Sequence, residues 1–324
     1  MKMLPVLYAG ALLLPICVLT GADSSVTKAD VDRMMQTLSN WGRWGKSDEL
    51  GALNLVTKEK RLQAAALVRE GITFSLAHNA ITVRADDSPA FEHRMLETGE
   101  KPDSGGASDY VGVQYHGFTT THLDALCHVF YNGKMYNGLS QKEVTSQGAA
   151  KLGVDRIRNG IFTRAVLMDI PRHFGKPFLD GNQAIYPQDL EGWEKKAGIK
   201  VGAGDAILIR TGRWARRSAQ GSWEIMKNSA GLHTSCLPWL KKRDVAVVGS
   251  DLATDVMPSG VAGIVLPVHQ VLIVAMGVPI LDNLDLEAVA DAAAARKRWE
   301  FLLTVAPLPV QGGTGSPVNP IGSF

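Results

Sequence analysis

The chain has 324 residues, of which 45% are hydrophobic and 20% are charged, and its formal net charge is +2. These values are typical of a folded globular protein and exclude a largely disordered chain. The near-neutral charge, without a long run of Lys or Arg, also argues against nucleic acid as a partner.

The first 22 residues have the composition of a secretory signal peptide. Lys2 is followed by an apolar run from about Leu4 to Leu19 and then by small residues up to Ala22, as in cleavable signals. A permanent membrane anchor would take about twenty apolar residues, and Cys17 leaves a lipoprotein signal as the alternative. We therefore expect a mature domain over residues 23–324 that is periplasmic or secreted and not bound to a membrane.

Helices and strands alternate along the rest of the chain. Helices are predicted at Lys28–Ser39, Thr57–Glu70, Pro187–Lys196, Ser235–Lys242 and Pro267–Met276. Strands are predicted at Ile72–Ala77, Val111–Tyr115, Ala165–Ile170, Ala206–Arg210, Val245–Ser250, Gly277–Leu281 and Phe301–Val305. Several strands are nearly continuous apolar runs, which indicates burial on both faces of a sheet. This order predicts an α/β protein.

Residues 80–109 form a polar segment without clear periodicity, rich in Gly, Pro, Ser and Glu. We predict a loop or lid, because long loops in compact domains are usually functional or mobile. Trp41 and Trp44 could close with this lid over an aromatic or cyclic substrate, and burial in the core is the alternative. Cys127 and Cys236 are expected to be free and buried, because a domain of this size does not need a disulfide.

Three histidines and one aspartate lie within thirteen residues, from His116 to His128. If the chain is extended up to Asp124, the side chains of His122 and Asp124 project from the same face of a strand. A following turn of helix would bring His128 to the same side. Imidazole and carboxylate groups favour zinc or manganese. The alternative is a strand-to-helix junction with structural histidines.

Two further groups are candidates for the same chemistry. His269 lies in an apolar helical stretch, and Asp282 follows thirteen residues later. Taken alone, His269 fits a buried structural role, and Asp282 fits a solvated turn as well as a functional one. A nucleophilic enzyme has weaker support: the segment at Ser250 lacks the first glycine of a nucleophile elbow. Cys127 and His128 would diverge by about 100° on a helix.

The run from Thr121 to His128 resembles the signature of the metal-dependent cyclase family, which includes bacterial kynurenine formamidase, isatin hydrolase and a manganese-dependent gamma-lactamase. Other segments resemble further blocks of that family, and together they cover roughly residues 38 to 320. These blocks are Asn40–Gly45, Asp48–Asn54, Gly204–Gly212, Leu266–His269, Ile280–Leu284 and Gly312–Pro317.

The family signature is His-x-x-x-His-x-Asp-x-x-x-His, in which the first two His and the Asp bind metal and the last His moves protons. The resemblance implies that His122 and Asp124 are metal ligands and that His128 is the proton shuttle. It also implies that His269 and Asp282 are the distal metal ligands. The implied cofactor is one divalent metal, manganese or zinc.

This chain departs from the family pattern at two positions. Phe118 stands where the signature has its first His, and the distal acid, usually Glu, is Asp282, with one extra residue after His269. A second metal is therefore left open, and His116 replaces the missing ligand only if the intervening loop bulges. Phe118 becomes a candidate substrate-binding residue, together with the two tryptophans named above.

The resemblance implies a single domain of the swivelling β/β/α type, with a mixed sheet and flanking helices, that forms a homo-oligomer, a dimer or a tetramer. It implies a hydrolase that adds a metal-activated water to an amide-type carbonyl of a small molecule, such as a cyclic amide or an aryl formamide. A lactonase or cyclase with the same site is one alternative. A non-catalytic protein that binds a small molecule or a metal is another, because of Phe118.

Overall fold

The computed structural model describes residues 25–324, so the predicted signal peptide lies outside the described residues. Within this range no helix is long and apolar enough to span a bilayer. The α-helices are α1 Lys28–Thr37, α2 Lys58–Ala65, α3 Ile170–Phe174, α4 Pro187–Ala197, α5 Arg213–Gln220, α6 Leu237–Lys242, α7 Pro267–Gln270 and α8 Glu287–Arg296. Six short 3₁₀ helices are found at Gly51–Leu55, Tyr136–Gly138, Gln141–Glu143, Val154–Ile157, Ile225–Lys227 and Thr234–Cys236 of this part of the chain.

Fifteen strands are present in the described residues. They are β1 Thr73–Ser75, β2 Glu92–Glu97, β3 Ser108–Gly112, β4 His122–Asp124, β5 Val144–Thr145, β6 Gly148–Ala149, β7 Ile161–Asp169, β8 Ala184–Ile185, β9 Ala206–Arg210, β10 Gly231–Leu232, β11 Val247–Ser250, β12 Ile280–Asp282, β13 Glu300–Val305, β14 Gly315–Pro317 and β15 Ile321–Ser323. Nine of them form one sheet in the order β1-β15-β13-β7-β9-β11-β12-β4-β14.

The centre of the sheet is parallel and its two sides are antiparallel. The strands β7, β9, β11 and β12 pair in parallel, whereas β4 runs antiparallel to both β12 and β14. On the other side β13, β15 and β1 pair antiparallel. The predicted α/β class with a mixed sheet and flanking helices is confirmed.

Both faces of the sheet are buried, because alternate residues of the central strands enter different hydrophobic clusters. Val166 and Met168 of β7 belong to one cluster, whereas Ala165 and Leu167 belong to the other. A strand side chain alternates between faces, so apolar residues are needed at every position. This confirms the interpretation of the continuous apolar runs. The two cysteines are free and buried, as expected.

The structure differs from the predicted elements at several points. The predicted helix Pro267–Met276 is a short α-helix, α7, that continues as a π-helix over Val271–Met276. The strand predicted at Val111–Tyr115 lies instead at β3, which pairs with β2 in a hairpin that begins inside the segment 80–109 and ends at Gly112. That segment is therefore not a loop throughout, and its role as a lid stays a prediction. The helices α3, α5 and α8 were not predicted.

Candidate metal centre

The centre of the site is β4, a three-residue strand between β12 and β14. His122 and Asp124 are its first and last residues, so their side chains share one face, as the spacing predicts. In the antiparallel register His122 lies opposite Asp282 of β12. The predicted helical turn after Asp124 is wrong: the backbone amide of His128 closes a tight turn by donating to the carbonyl oxygen of Ala125.

A first group of candidate metal ligands consists of His116, His122 and Asp124, whose ligand atoms all lie within 4.8 Å of one another. Asp124 Oδ1 lies 2.9 Å from His116 Nδ1 and 3.4 Å from His122 Nε2. The 2.9 Å contact does not have the angles of a hydrogen bond, so His116 Nδ1 and Asp124 Oδ1 are buried without a hydrogen-bond partner in the described residues. Free ligand atoms in such a cluster fit a cation.

A second group of candidate ligands consists of Asp124, His269 and Asp282. His269 Nε2 lies 3.0 Å from Asp282 Oδ2 and 3.9 Å from Asp124 Oδ2. All three side chains are at most 7% exposed. The structure thus brings together the four ligands predicted from the resemblance, and Asp124 is shared by both groups.

Hydrogen bonds fix which ring nitrogen of each histidine faces the ligand groups. His122 Nδ1 lies 2.8 Å from the carbonyl oxygen of Thr120, which leaves Nε2 toward Asp124. His269 Nδ1 lies 2.6 Å from Asp255 Oδ2, which leaves Nε2 toward the second group. Such outer partners orient metal-binding imidazoles and set their tautomer.

His116 is held in the same way, although from a loop rather than a strand. Its Nε2 lies 2.9 Å from Thr314 Oγ1, which leaves Nδ1 toward Asp124. Residues 113–121 form no helix or strand, and the bulge of this loop brings His116 to the site in place of Phe118. His116 thus takes the position that the sequence left open, and Asp255 and Thr314, which no sequence motif marks, hold the two imidazoles.

His128 lies at the solvent side of the first group. Its ring stacks on that of His116, with centroids 3.7 Å apart and an interplanar angle of 2°, and its Nε2 lies 3.9 Å from Asp124 Oδ1. Burial, together with the nearby imidazoles, lowers the pKa of His128 to about 4, although Asp124 opposes the shift. The ring is therefore neutral at pH 7, and 28% of its side chain is exposed, so it can exchange protons with solvent.

The protonation states of the buried groups reflect their mutual attraction. Burial opposes ionisation of Asp124, but the neighbouring imidazoles outweigh it and hold its pKa well below the usual range. Burial also opposes protonation of His122 and His269, yet the facing carboxylates raise the pKa of both. Carboxylates and imidazoles thus stabilise each other's charged forms, and because metal ligation needs neutral imidazoles, a bound cation would replace the protons that these carboxylates favour.

The three predicted substrate-binding residues lie in different surroundings. Phe118 is half-buried and packs against the cluster of Ile225, Leu252, Ala253 and Met257.

The two tryptophans lie elsewhere. Trp41 is 41% exposed and donates a hydrogen bond from Nε1 to the carbonyl oxygen of Val274. Trp44 packs on the main core beneath the guanidinium of Arg43. A role in substrate binding stays a prediction for all three.

The fold and the ligand groups define an α/β protein with a candidate metal centre. Residues 54–256 match the family model described as putative cyclase, and the chain belongs to this cyclase family. The matched range contains the run from His116 to His128, and His269 and Asp282 follow it in the chain. The resemblance stated from the sequence is thereby confirmed.

Solved structures with the same fold include a protein described as a novel cyclase, which is 32% identical over 88% of this chain and 99% of its own, with a TM-score of 0.78. Isatin hydrolase A from Ralstonia solanacearum is 19% identical over 82% of this chain and 97% of its own, with a TM-score of 0.57. Isatin hydrolase A from Labrenzia aggregata, bound to benzyl benzoate, has the same identity and TM-score over 82% and 98%. The isatin hydrolases show a shared fold. A comparison with curated proteins found no match.

Proposed function

We propose that this protein is a metal-dependent hydrolase that adds water to an amide-type carbonyl of a small molecule, such as a cyclic amide or an aryl formamide. The observation that carries the proposal is the arrangement around Asp124. Two groups of three ligands share this carboxylate, and a neutral, partly exposed imidazole lies beside it.

The ligand groups assign the residues that would hold the cofactor. His116, His122 and Asp124 would hold one cation, and Asp124, His269 and Asp282 would hold a second. Asp124 Oδ1 is the atom nearest the first group, and Oδ2 is the atom nearest His269, so one carboxylate can serve both. Imidazole and carboxylate ligands suit manganese and zinc. A bound cation would supply Lewis acidity toward a water and a carbonyl oxygen.

His128 is the residue that would move the proton. Its lowered pKa leaves the ring neutral at pH 7, so a ring nitrogen is free to take a proton from the attacking water. His128 would return that proton to the nitrogen that leaves when the carbon–nitrogen bond breaks. The stack on His116 fixes the plane of its ring, so its Nε2 stays directed at the Asp124 side of the site.

An apolar cavity near Phe118 supports a substrate with an apolar ring or side group. Met257 belongs to the cluster against which Phe118 packs, and it also lines a cavity of about 590 Å³ with Val261 and Ile264. The loop that joins Asp255 to α7 forms most of the cavity wall. Asp255 holds the two ends of this loop together at the second ligand group through its hydrogen bonds with Val268 and His269. The isatin hydrolases share the fold, and their names refer to a cyclic amide, which supports a substrate of this class.

A substrate panel tests the proposal. The mature protein is loaded with Mn²⁺ or Zn²⁺ and incubated with isatin, a γ-lactam, an N-formylaniline and the matching γ-lactone, while ring opening or deformylation is followed by absorbance and chromatography. We expect turnover of at least one amide. Faster turnover of the lactone would move the assignment to a lactonase, and tight metal binding without any turnover would favour a binding protein.

The same proposal includes export from the cytoplasm, which the signal-like amino terminus supports. It also includes assembly into a homo-oligomer, which the family resemblance supports. Fractionation of expressing cells and light scattering after gel filtration test these two points. Retention in the cytoplasm would contradict the first, and a monomer at micromolar concentration would contradict the second.

A further inference from the structure

The block Gly204–Gly212 has no part in the proposed chemistry, yet its carboxyl end lies at the sheet edge where β12 ends with Asp282. Asp251, directly after β11, accepts hydrogen bonds from three consecutive backbone amides, those from Thr211 to Arg213. The carboxyl ends of parallel strands meet at one edge of a sheet, where α/β proteins place their sites. These hydrogen bonds to Asp251 therefore fix the start of α5 at the edge of the sheet that also contains Asp282.

Arg213 connects two residues from distant parts of the chain. Its side chain is fully buried, with Nη1 3.4 Å from Asn283 Oδ1 and Nη2 3.4 Å from Asp87 Oδ2. Burial lowers the pKa of Arg213 to about 10, although Asp87 opposes the shift. The guanidinium is therefore charged at neutral pH and holds both oxygen atoms in the interior.

Asn283 binds the stretch Gly117–Thr121, which separates His116 from His122 and is called the ligand loop below. Its side-chain amide donates to the carbonyl oxygens of Gly117 and Thr120, at 2.6 and 3.2 Å. The backbone carbonyl oxygen of Asn283 accepts a hydrogen bond of 2.6 Å from the hydroxyl of Thr121. The residue next to Asp282 thus holds both ends of the ligand loop.

Asp87 binds the middle of the ligand loop. Its backbone carbonyl oxygen accepts a hydrogen bond of 2.9 Å from Thr119 Oγ1. Its carboxylate is buried and accepts from Arg217 at 2.6 and 3.0 Å, in addition to the contact with Arg213. Asp87 belongs to the polar segment 80–109, so this segment is attached to the metal centre at a defined point.

We propose that Asp87, Arg213 and Asn283 form a positioning network that fixes the ligand loop, so that His116 and His122 face the same cation. The loop has no regular secondary structure of its own, and its hydrogen bonds to Asn283 and Asp87 replace that support. The inference rests on the proposed function only in assigning a cation to these histidines. Loss of a direct outer partner of a metal ligand typically weakens metal binding about 10- to 100-fold. The network acts one step further out, through the ligand loop, so the lower end of that range is expected.

Two variants of the full mature protein test the network. Asp87→Asn keeps the size of the side chain but removes the charge that Arg213 and Arg217 face. Thr119→Val removes only the hydroxyl that binds Asp87. Asp205→Asn is the matched control, because Asp205 is a buried carboxylate paired with Arg164 and Lys60 at the opposite, amino-terminal end of β9.

The metal-free proteins are titrated with Co²⁺, and binding is followed by calorimetry and by the visible absorption spectrum of the bound ion. We expect both test variants to bind Co²⁺ about 10-fold more weakly at the first ligand group, with an altered spectrum. The control is expected to lose thermal stability but to keep the wild-type affinity and spectrum. If Asp87→Asn does not fold, Thr119→Val carries the test.

The outcomes separate this inference from the proposed function. Wild-type affinity and spectrum in the folded test variants would overturn the network and leave the proposed function standing. A wild-type protein that binds no Co²⁺ would overturn the proposed function and the network with it. An equal loss of affinity in Asp205→Asn would also overturn the network, because the effect would then follow from stability alone.

Discussion

Asp124 is the residue on which the site depends. It is 1% exposed, and it offers a different oxygen atom to each of the two ligand groups. A buried carboxylate is costly unless it is paired, and here the pairing comes from imidazoles that are themselves oriented by Thr120, Thr314 and Asp255. The arrangement favours a metal centre over a set of structural histidines.

The variant His128→Ala is expected to lower kcat by about two to four decades and to leave the metal content unchanged. General acid–base catalysis contributes about this factor, and His128 is a proton carrier rather than a ligand in our assignment. Steady-state kinetics with metal analysis of the purified variant give both quantities. His93→Ala, at an exposed histidine, is the control. Full activity in the His128 variant would show that the role is wrongly assigned.

Of the candidate ligands, His122 and Asp124 could be placed from their spacing, whereas His269 and Asp282 were implied only by the family resemblance. The spacing of His122 and Asp124 gives one face of a strand without any further knowledge. The position of His116 depends on how an irregular loop bulges, and no periodic pattern encodes that. Asp255 was not found because its role arises from contact with α7, thirteen residues further along the chain.

At the scale of elements, the pairing of β4 with β12 and β14 aligns the ligands. His122 lies opposite Asp282 on one side, and Asp124 lies opposite Gly315 on the other. Glycine is needed at that point, because a Cβ at Gly315 would lie 2.5 Å from the carbonyl oxygen of Leu123 and 2.9 Å from Cε1 of His116. β14 thus leaves room for the ring of His116.

Gly315→Ala is therefore expected to displace His116 and to weaken metal binding at the first ligand group about 10-fold or more. Isothermal titration of the metal-free variant with Mn²⁺ or Zn²⁺ measures the change. Gly322→Ala in β15 is a matched control, since its Cβ would lie 2.9 Å from the ring of Phe301 in the core. Equal affinities in both variants and in the wild type would contradict the assignment of His116 as a ligand.

Elements with strong local signals were predicted well. The strand Ala206–Arg210 has the predicted bounds because its apolar run is continuous and bounded by polar residues. The helix α5 was missed because its sequence is rich in Arg, and it forms through burial of Arg213, Trp214 and Arg216 rather than through an apolar stripe. The strands β4 and β14, with three residues each, are too short for a periodic pattern.

At the scale of the whole molecule, the sheet joins the site to the core. The parallel strands β9, β11 and β12 are buried on both faces, and the chain segments that follow them supply Arg213, Asp251 and Asn283 at one edge. The α/β class followed from the order of the predicted elements, whereas the antiparallel sides of the sheet depend on long-range pairing that local patterns do not report.

Metal binding is expected to stabilise the whole fold, because a cation would bind the folded ligand groups and not the unfolded chain. At a free metal concentration 100 times the Kd, linkage gives about 2.7 kcal/mol, which corresponds to a rise in Tm of about 5 °C for a chain of this size. Differential scanning calorimetry of the metal-free protein with and without Mn²⁺ or Zn²⁺ measures the shift. An unchanged Tm would argue against a metal centre in the interior.

A metal titration of hydrolytic activity tests most directly whether the protein is a metal-dependent hydrolase. The purified protein is stripped with a chelator, and the turnover of its best amide substrate is followed as Mn²⁺ or Zn²⁺ is added back. We expect the stripped protein to be inactive, and we expect activity to return and to saturate at one or two equivalents per chain, in step with bound metal. A stripped protein that hydrolyses the substrate at the original rate would contradict this expectation.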